Sequence, residues 1–276
     1  MLKRFLSLTF ALFILMSIAV SAHTEKVIID GYQGKISAVI QTPNSKKSYP
    51  MVMILHGFLA NKEMDLLKNL ADNLEKRGIA SIRFDYNGHG ESYGRFENMT
   101  VSNEIEDTKK VYEYVKTLPN VTSVSMVGHS QGAIIAGMVA GELGEDKIKC
   151  IALMSTAISI CDDSVRGIFL GRKFDPINLP EYLEIHEGVN IGRAYLKDIQ
   201  NLPVETISKK FKGRAYMIHG TSDFLIPYMD SIRYHSIFQN SEIHLLTGFD
   251  HNFTQDITRP NACVTDFFVE ELIDRK

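Results

Sequence analysis

Apolar and polar residues are arranged along this chain in short blocks that follow two periods. Runs of β type recur at KVIID (26–30), ISAVIQT (36–42), MVMIL (51–55), IASIRF (79–84), VTSVSMVG (121–128), KCIALMS (149–155), RAYMIHG (214–220) and EIHLL (242–246). The first two flank GYQG and predict a hairpin. The later ones are apolar almost throughout, as strands covered on both faces are. Between them the spacing turns helical. Val101, Ile105, Val111 or Tyr112, Val115 and Leu118 share one stripe, and Leu66, Leu70 and Leu74 another that Gly78 would terminate. Strands alternating with helices predict an α/β fold with a mainly parallel eight-stranded sheet flanked by helices.

One interval breaks the rhythm. From about 161 to 208 no strand pattern is evident, while aromatic residues, glycines and prolines are present. A structureless loop of that length is unusual. The interval reads as a cap of short helices inserted before the strand at 214–220 and lying over one end of the sheet.

The first 22 residues follow neither period. Lys3 and Arg4 precede an apolar run from Phe5 to Val20 that ends in Val20-Ser21-Ala22. That order describes a secretory signal peptide over 1–22, cleaved after Ala22. The expected mature chain is one domain over 23–276, secreted or periplasmic, with no stable membrane anchor. Losing Lys3 and Arg4 takes the formal charge from −3 to −5. No basic run marks a nucleic-acid surface. Three cysteines, Cys150, Cys161 and Cys263, cannot all pair within the chain and read as thiols. The scattered histidines lack metal-ligand spacing, and no dinucleotide or phosphate-loop motif occurs. No cofactor and no metal are expected.

The candidate chemistry lies at VGHSQGAI (127–134). A strand runs into Gly128-His129-Ser130-Gln131-Gly132 and then into an apolar helical run. This is G-x-S-x-G in a strand–turn–helix setting, where the serine stands clear at a helix N-terminus. A serine hydroxyl needs a base, and the base an orienting acid. Of the later histidines, His219 and His244 sit in strand patterns, His235 in a helical one and His186 in the insertion. His251 alone follows the last strand and can reach over the strand ends. His129 faces away across the turn. Asp223, just after a strand, is the preferred acid, because Asp250 cannot easily fold back onto the neighbouring ring. The expected oxyanion donors are the backbone N–H groups of Gln131 and of Phe58, with Gly57 letting the chain bend. His56 reads as a packing residue of that loop.

Taken in order, HGFLANKE, RFDYNGHGES, GHSQGA and HGTSDFLIP resemble the α/β-hydrolases, and among them the bacterial cinnamoyl and feruloyl esterases. Ala133 stands where a second glycine is common. The resemblance spans nearly the whole mature chain. It implies a Ser130–His251–Asp223 triad with the two donors named above, and an insertion roofing an aromatic acyl group. The implied partner is a small-molecule or plant-polysaccharide-linked ester. Phe169, Phe174, Tyr182 and Tyr195 offer aromatic faces there, and Asp175, Glu181 and Glu184 acceptors for a phenolic hydroxyl. Alternatives within the fold are a general carboxylesterase, a lipase or a peptidase. A non-catalytic binding protein would show an incomplete set of reacting residues.

Overall fold

The computed structural model describes residues 23–44 and 47–275; the expected leader, 1–22, lies outside them. All eight strand runs enter one sheet. Its strands are β1 (His23–Asp30), β2 (Lys35–Thr42), β3 (Tyr49–Leu55), β4 (Ala80–Phe84), β5 (Val121–His129), β6 (Ile148–Met154), β11 (Arg214–Gly220) and β12 (Ser241–Leu246). They lie in the order β1-β2-β4-β3-β5-β6-β11-β12. The hairpin β1–β2 is antiparallel and β2 pairs antiparallel with β4; every other pairing is parallel. Every residue of β4 is buried, as is every residue of β3 after Tyr49, which is why their sequences lack alternation.

Helices cover both faces. On one face Leu66, Leu70 and Leu74 of α1 (Asp65–Lys76) pack with Val264 and Phe268 of α8 (Thr258–Val269) against Val52, Ile54 and Val127. The first of these helices ends in a Schellman motif. Gly78, at φ +78°, donates to the Glu75 carbonyl, and Ile79 donates to that of Leu74. On the other face lie α2 (Val101–Lys116), capped by the Thr100 side chain on the Asn103 N–H, and α3 (Gln131–Leu143). Residues 131–141 of α3 are all buried, so its sequence is apolar all round.

The insertion between β6 and β11 differs from expectation in its local structure. It holds the helices α4 (Ser159–Val165), α5 (Arg193–Asn201) and α6 (Val204–Ser208). It also holds two small antiparallel hairpins, β7 (Ile168–Phe169) with β8 (Arg172–Lys173) and β9 (Tyr182–His186) with β10 (Val189–Gly192). Strands of two to five residues are too short to establish a period in sequence. The overlooked signal was YLEIH-EG-VNIG, a short alternating run beside a turn in which Gly188 adopts φ +73°. The insertion shares the core of the sheet: Phe169, Ile191, Leu196 and Ile199 are buried in the same cluster as α2 and α3. Helix α7 (Met229–His235) follows β11.

Candidate active site

The sharp turn after β5 places Ser130 at φ 57° and ψ −120°, a conformation costing on the order of 1–3 kcal/mol. The flanking glycines make it possible. A β-carbon on Gly128 would strike the carbonyl of Gly132, and one on Gly132 would lie 2.5 Å from the carbonyl oxygens of Leu55 and His56. The Ser130 N–H donates to the Met154 carbonyl at 2.8 Å, which ties the turn to β6.

The structure brings Ser130, His251 and Asp223 into one row. Nε2 of His251 is 2.9 Å from Ser130 Oγ, and its Nδ1 is 2.6 Å from Asp223 Oδ2. Each of the three is 8% exposed. The other oxygen, Oδ1, accepts the N–H groups of Leu225 (3.0 Å) and Ile226 (2.8 Å). Burial works to raise the Asp223 pKa, but hydrogen bonds from His219 and His251 hold it well below the usual carboxylate range. The carboxylate is therefore ionised, and it fixes the His251 tautomer with Nδ1 protonated and Nε2 facing the serine. Asp250 is not available for that task. Its carboxylate accepts from the N–H groups of Asn252 and Thr254 and from the Thr254 hydroxyl, all within its own turn.

Three positioning groups were not legible in the sequence. His219 on β11 is fully buried and donates from Nε2 to Asp223 Oδ2 at 2.9 Å, while Ser231 holds its Nδ1 at 2.7 Å. His129 makes no hydrogen bond to Ser130 Oγ among the described residues, but it is not merely turned away. Its Nε2 donates to the His251 carbonyl at 2.9 Å, and its ring packs on that of His251 at 5.0 Å. Ser155 Oγ donates to the same carbonyl at 2.9 Å. Burial lowers the His129 pKa to about 3, and the ring is neutral. Strand periodicity marks such residues only as buried, and their partners lie up to 122 positions away.

Phe58 and Gln131 both line the cleft beside Ser130. Gln131 is the first residue of α3, where backbone N–H groups lack an intrahelical acceptor. Gly57 serves closeness more than bending: a β-carbon there would lie 2.8 Å from Ser130 Cβ. His56 is the packing residue expected. Its Nε2 accepts the Tyr86 N–H at 3.3 Å, its Nδ1 donates to the Gly57 carbonyl, and burial lowers its pKa to about 4. The loop carrying Phe58 is anchored by Lys62, only 1% exposed. Its Nζ lies 2.7 Å from both Asp85 Oδ2 and Glu91 Oε2, and its N–H donates to Asp85 Oδ1.

The cleft over Ser130 holds about 720 Å³. Ile160, Phe169, Leu170 and Tyr195 line it from the segment after β6, and Phe58 from the loop between β3 and α1. That loop and the start of α1 also bring Asn61, Glu63 and Asp65; among the described residues no lysine or arginine lines the cleft. Phe58, Phe169 and Tyr195 pack mutually, with ring centroids 5.3–5.6 Å apart. Two of the four expected cap aromatics, Phe169 and Tyr195, thus face the site. Phe174 and Tyr182 do not line it, and neither do Asp175, Glu181 or Glu184. Asp175 instead accepts the N–H groups of Ile177 and Asn178, and Glu184 that of Gly188; both close local turns.

The sheet order and the serine turn between β5 and α3 are those of the α/β-hydrolase fold, and this chain has that fold. The family model described as serine aminopeptidase, S33, matches residues 46–176. Among solved structures, Est1E from Butyrivibrio proteoclasticus with ferulic acid bound superposes with a TM-score of 0.86 at 29% identity, over 89% of this chain and 98% of that one. Esterase EstD of Thermotoga maritima is 27% identical over 229 residues, 76% of this chain but 54% of its own length, so the chain spans about half of that relative. A Pyrococcus furiosus esterase, Pf2001, shares the fold at 19% identity and a TM-score of 0.69.

Proposed function

We propose that this protein is a serine carboxylesterase that hydrolyses esters of aromatic, hydroxycinnamate-type acids. The observation that carries the reading is the Ser130–His251–Asp223 row beneath a cleft walled by the rings of Phe58, Phe169 and Tyr195. Est1E, similar over nearly its whole length, binds ferulic acid. In the reaction His251 Nε2 takes the Ser130 proton as Oγ attacks the ester carbon, and the N–H groups of Phe58 and Gln131 receive the oxyanion. His251 then protonates the departing alkoxide, and the alcohol leaves an acyl-serine. Water, deprotonated by the same nitrogen, releases the acid and restores the serine.

A fluorophosphonate probe should label Ser130, and Ser130→Ala should abolish labelling while kcat falls to what the oxyanion hole and binding alone provide, roughly 10³–10⁴ over water. Substrate class is read from kcat/KM for methyl ferulate against p-nitrophenyl esters of long alkyl acids. Equal or higher values for the alkyl esters would overturn the aromatic assignment. A second reading, aminopeptidase action, is favoured by Glu63 and Asp65, which could meet a substrate ammonium. Turnover of an aminoacyl p-nitroanilide above that of methyl ferulate would support it. Export belongs to the same proposal and rests on the pattern of residues 3–22. A mature N-terminus at His23 checks it.

A further inference from the structure

The side chain of Gln131 has no part in the mechanism above, yet it is 1% exposed and bonded at both ends. Its Oε1 accepts the Tyr195 hydroxyl at 2.6 Å, and its Nε2 donates to Glu104 Oε2 at 2.6 Å. Tyr195 comes from α5 in the cap and Glu104 from α2. Three elements distant in sequence thus meet at the amide next to the proposed nucleophile. The same Tyr195 ring is a wall of the cleft, packed against Phe58 and Phe169. Helix α5 is seated on α2 by Asp198, whose carboxylate receives the Ser102 N–H at 2.9 Å and the Ser102 hydroxyl at 2.5 Å.

Glu104 is itself unusual. It is 1% exposed, and among the described residues no lysine or arginine pairs with it. Its Oε1 has no hydrogen-bond partner and lies 3.8 Å from Nδ1 of His89, whose two ring nitrogens are also unpartnered. Burial pushes the carboxyl well above its usual range, against the pull of the Gln131 N–H, and burial lowers His89 to about 3. A buried carboxyl is expensive to keep. A leucine would fill the space between α2 and α3 at less cost if packing were all the site required.

The geometry points to Tyr195 and Glu104 as positioning residues: by holding the Gln131 amide from both sides, they fix the backbone N–H of that residue toward the oxyanion. They thereby make the oxyanion donor depend on a seated cap. This inference rests on the reading of Ser130 as the nucleophile. Its physical basis is that a fixed donor stabilises developing charge only when its placement is set beforehand.

The test is steady-state kinetics on p-nitrophenyl acetate and methyl ferulate. Tyr195→Phe keeps the ring and removes only the hydroxyl. It should lower kcat roughly tenfold for both esters while KM stays within about twofold, a fraction of the 10²–10³ lost with a whole oxyanion donor. Glu104→Gln, whose amide oxygen still accepts from Gln131, should keep kcat, whereas Glu104→Leu should lose as much as Tyr195→Phe. Combining Tyr195→Phe with Gln131→Met should lose no more than Gln131→Met alone. Binding of a trifluoromethyl ketone should weaken in step with kcat/KM, while binding of ferulate stays unchanged. An unchanged kcat in Tyr195→Phe, with KM raised for methyl ferulate alone, would reduce Tyr195 to an acyl-pocket wall and overturn the inference. Should Tyr195→Phe fail to fold, the Glu104 pair decides: equal kcat in the Gln and Leu variants overturns it. Fluorophosphonate labelling separates the two failures. Labelled wild type with unaffected variants sinks this inference alone, and unlabelled wild type sinks the nucleophile as well.

Discussion

Asp223 accepts four hydrogen bonds: from two histidines on one oxygen and two backbone N–H groups on the other. An asparagine fits the space but must turn its NH₂ toward one pair of donors, either the ring nitrogens or the backbone. Asp223→Asn should therefore reduce kcat/KM on p-nitrophenyl acetate by about 10⁴-fold, the size of loss that a wrong imidazole tautomer produces elsewhere. Asp250→Asn should change it only a few-fold, because that carboxylate serves its own turn. Comparable losses in the two variants would refute the assignment of the acid. Sequence order and loop position favour Asp223 over Asp250, and Asp223 is the one whose carboxylate lies against His251. They gave no sign of His219, His129 or Ser155, because strand periodicity identifies such residues as buried and does not identify what they touch.

The cap acts as an element of the core. Its apolar residues Ile191, Leu196 and Ile199 are fully buried with α2 and α3, so removing the insertion would strip the sheet face as well as the roof. A point substitution isolates the roof better. Phe169, 1% exposed, faces both that core and the cleft. Phe169→Ala should cost about 3–5 kcal/mol of stability, measured by urea unfolding. It should also lower the ratio of kcat/KM for methyl ferulate to that for p-nitrophenyl acetate, because acetate does not reach the vacated wall. An unaltered ratio would place selectivity elsewhere. The break in strand rhythm marks the interval between β6 and β11, but gives no sign of its two hairpins. Their short strands pair only with each other, so no sheet partner extends the pattern to a length at which a period shows.

At the scale of the molecule, buried ionisable groups set the response to acid. Burial lowers His56 to about 4 and His89 and His129 to about 3, so all three are neutral in the fold. The unfolded chain protonates them below about 6.5, and stability is lost as pH falls from there. Three carboxyls oppose this. Burial raises Asp107 to about 6 and also raises Glu104 and Asp230, so each favours the fold at low pH and loses that contribution as pH rises. That opposition stops growing below about pH 4, where the unfolded chain is protonated too, whereas His89, His129 and the low Asp223 carboxylate go on losing stability there. The urea midpoint should fall between about pH 4 and pH 3, and a flat or rising midpoint would contradict the neutral histidines. Charge also bears on substrate. The cleft is lined by Glu63 and Asp65 and, among the described residues, by no lysine or arginine. Esters of neutral or cationic alcohols should show higher kcat/KM than esters of the same acid with anionic alcohols, by a few-fold at low salt and less at high salt. A preference for anionic alcohols would show that the alcohol lies on another side.

The sequence by itself determined the sheet, its eight strands and the serine turn. These follow from local rules: continuous apolar runs where both faces are covered, a 3.6-residue period on the helices, and glycines two positions either side of a serine. It also determined which serine, histidine and acid were candidates, because connection order limits which loops reach the same end of a parallel sheet. Only the tertiary structure decided what surrounds them. It turned two of the four cap aromatics toward Ser130 and left Asp175 and Glu184 in local turns. It placed His219 behind Asp223 and His129 behind His251, and it joined Tyr195 to Glu104 through Gln131. All but the His219–Asp223 pair join residues 27 to 122 positions apart. Nothing in a residue's local sequence fixes its partner at such separations; burial against one particular neighbour does.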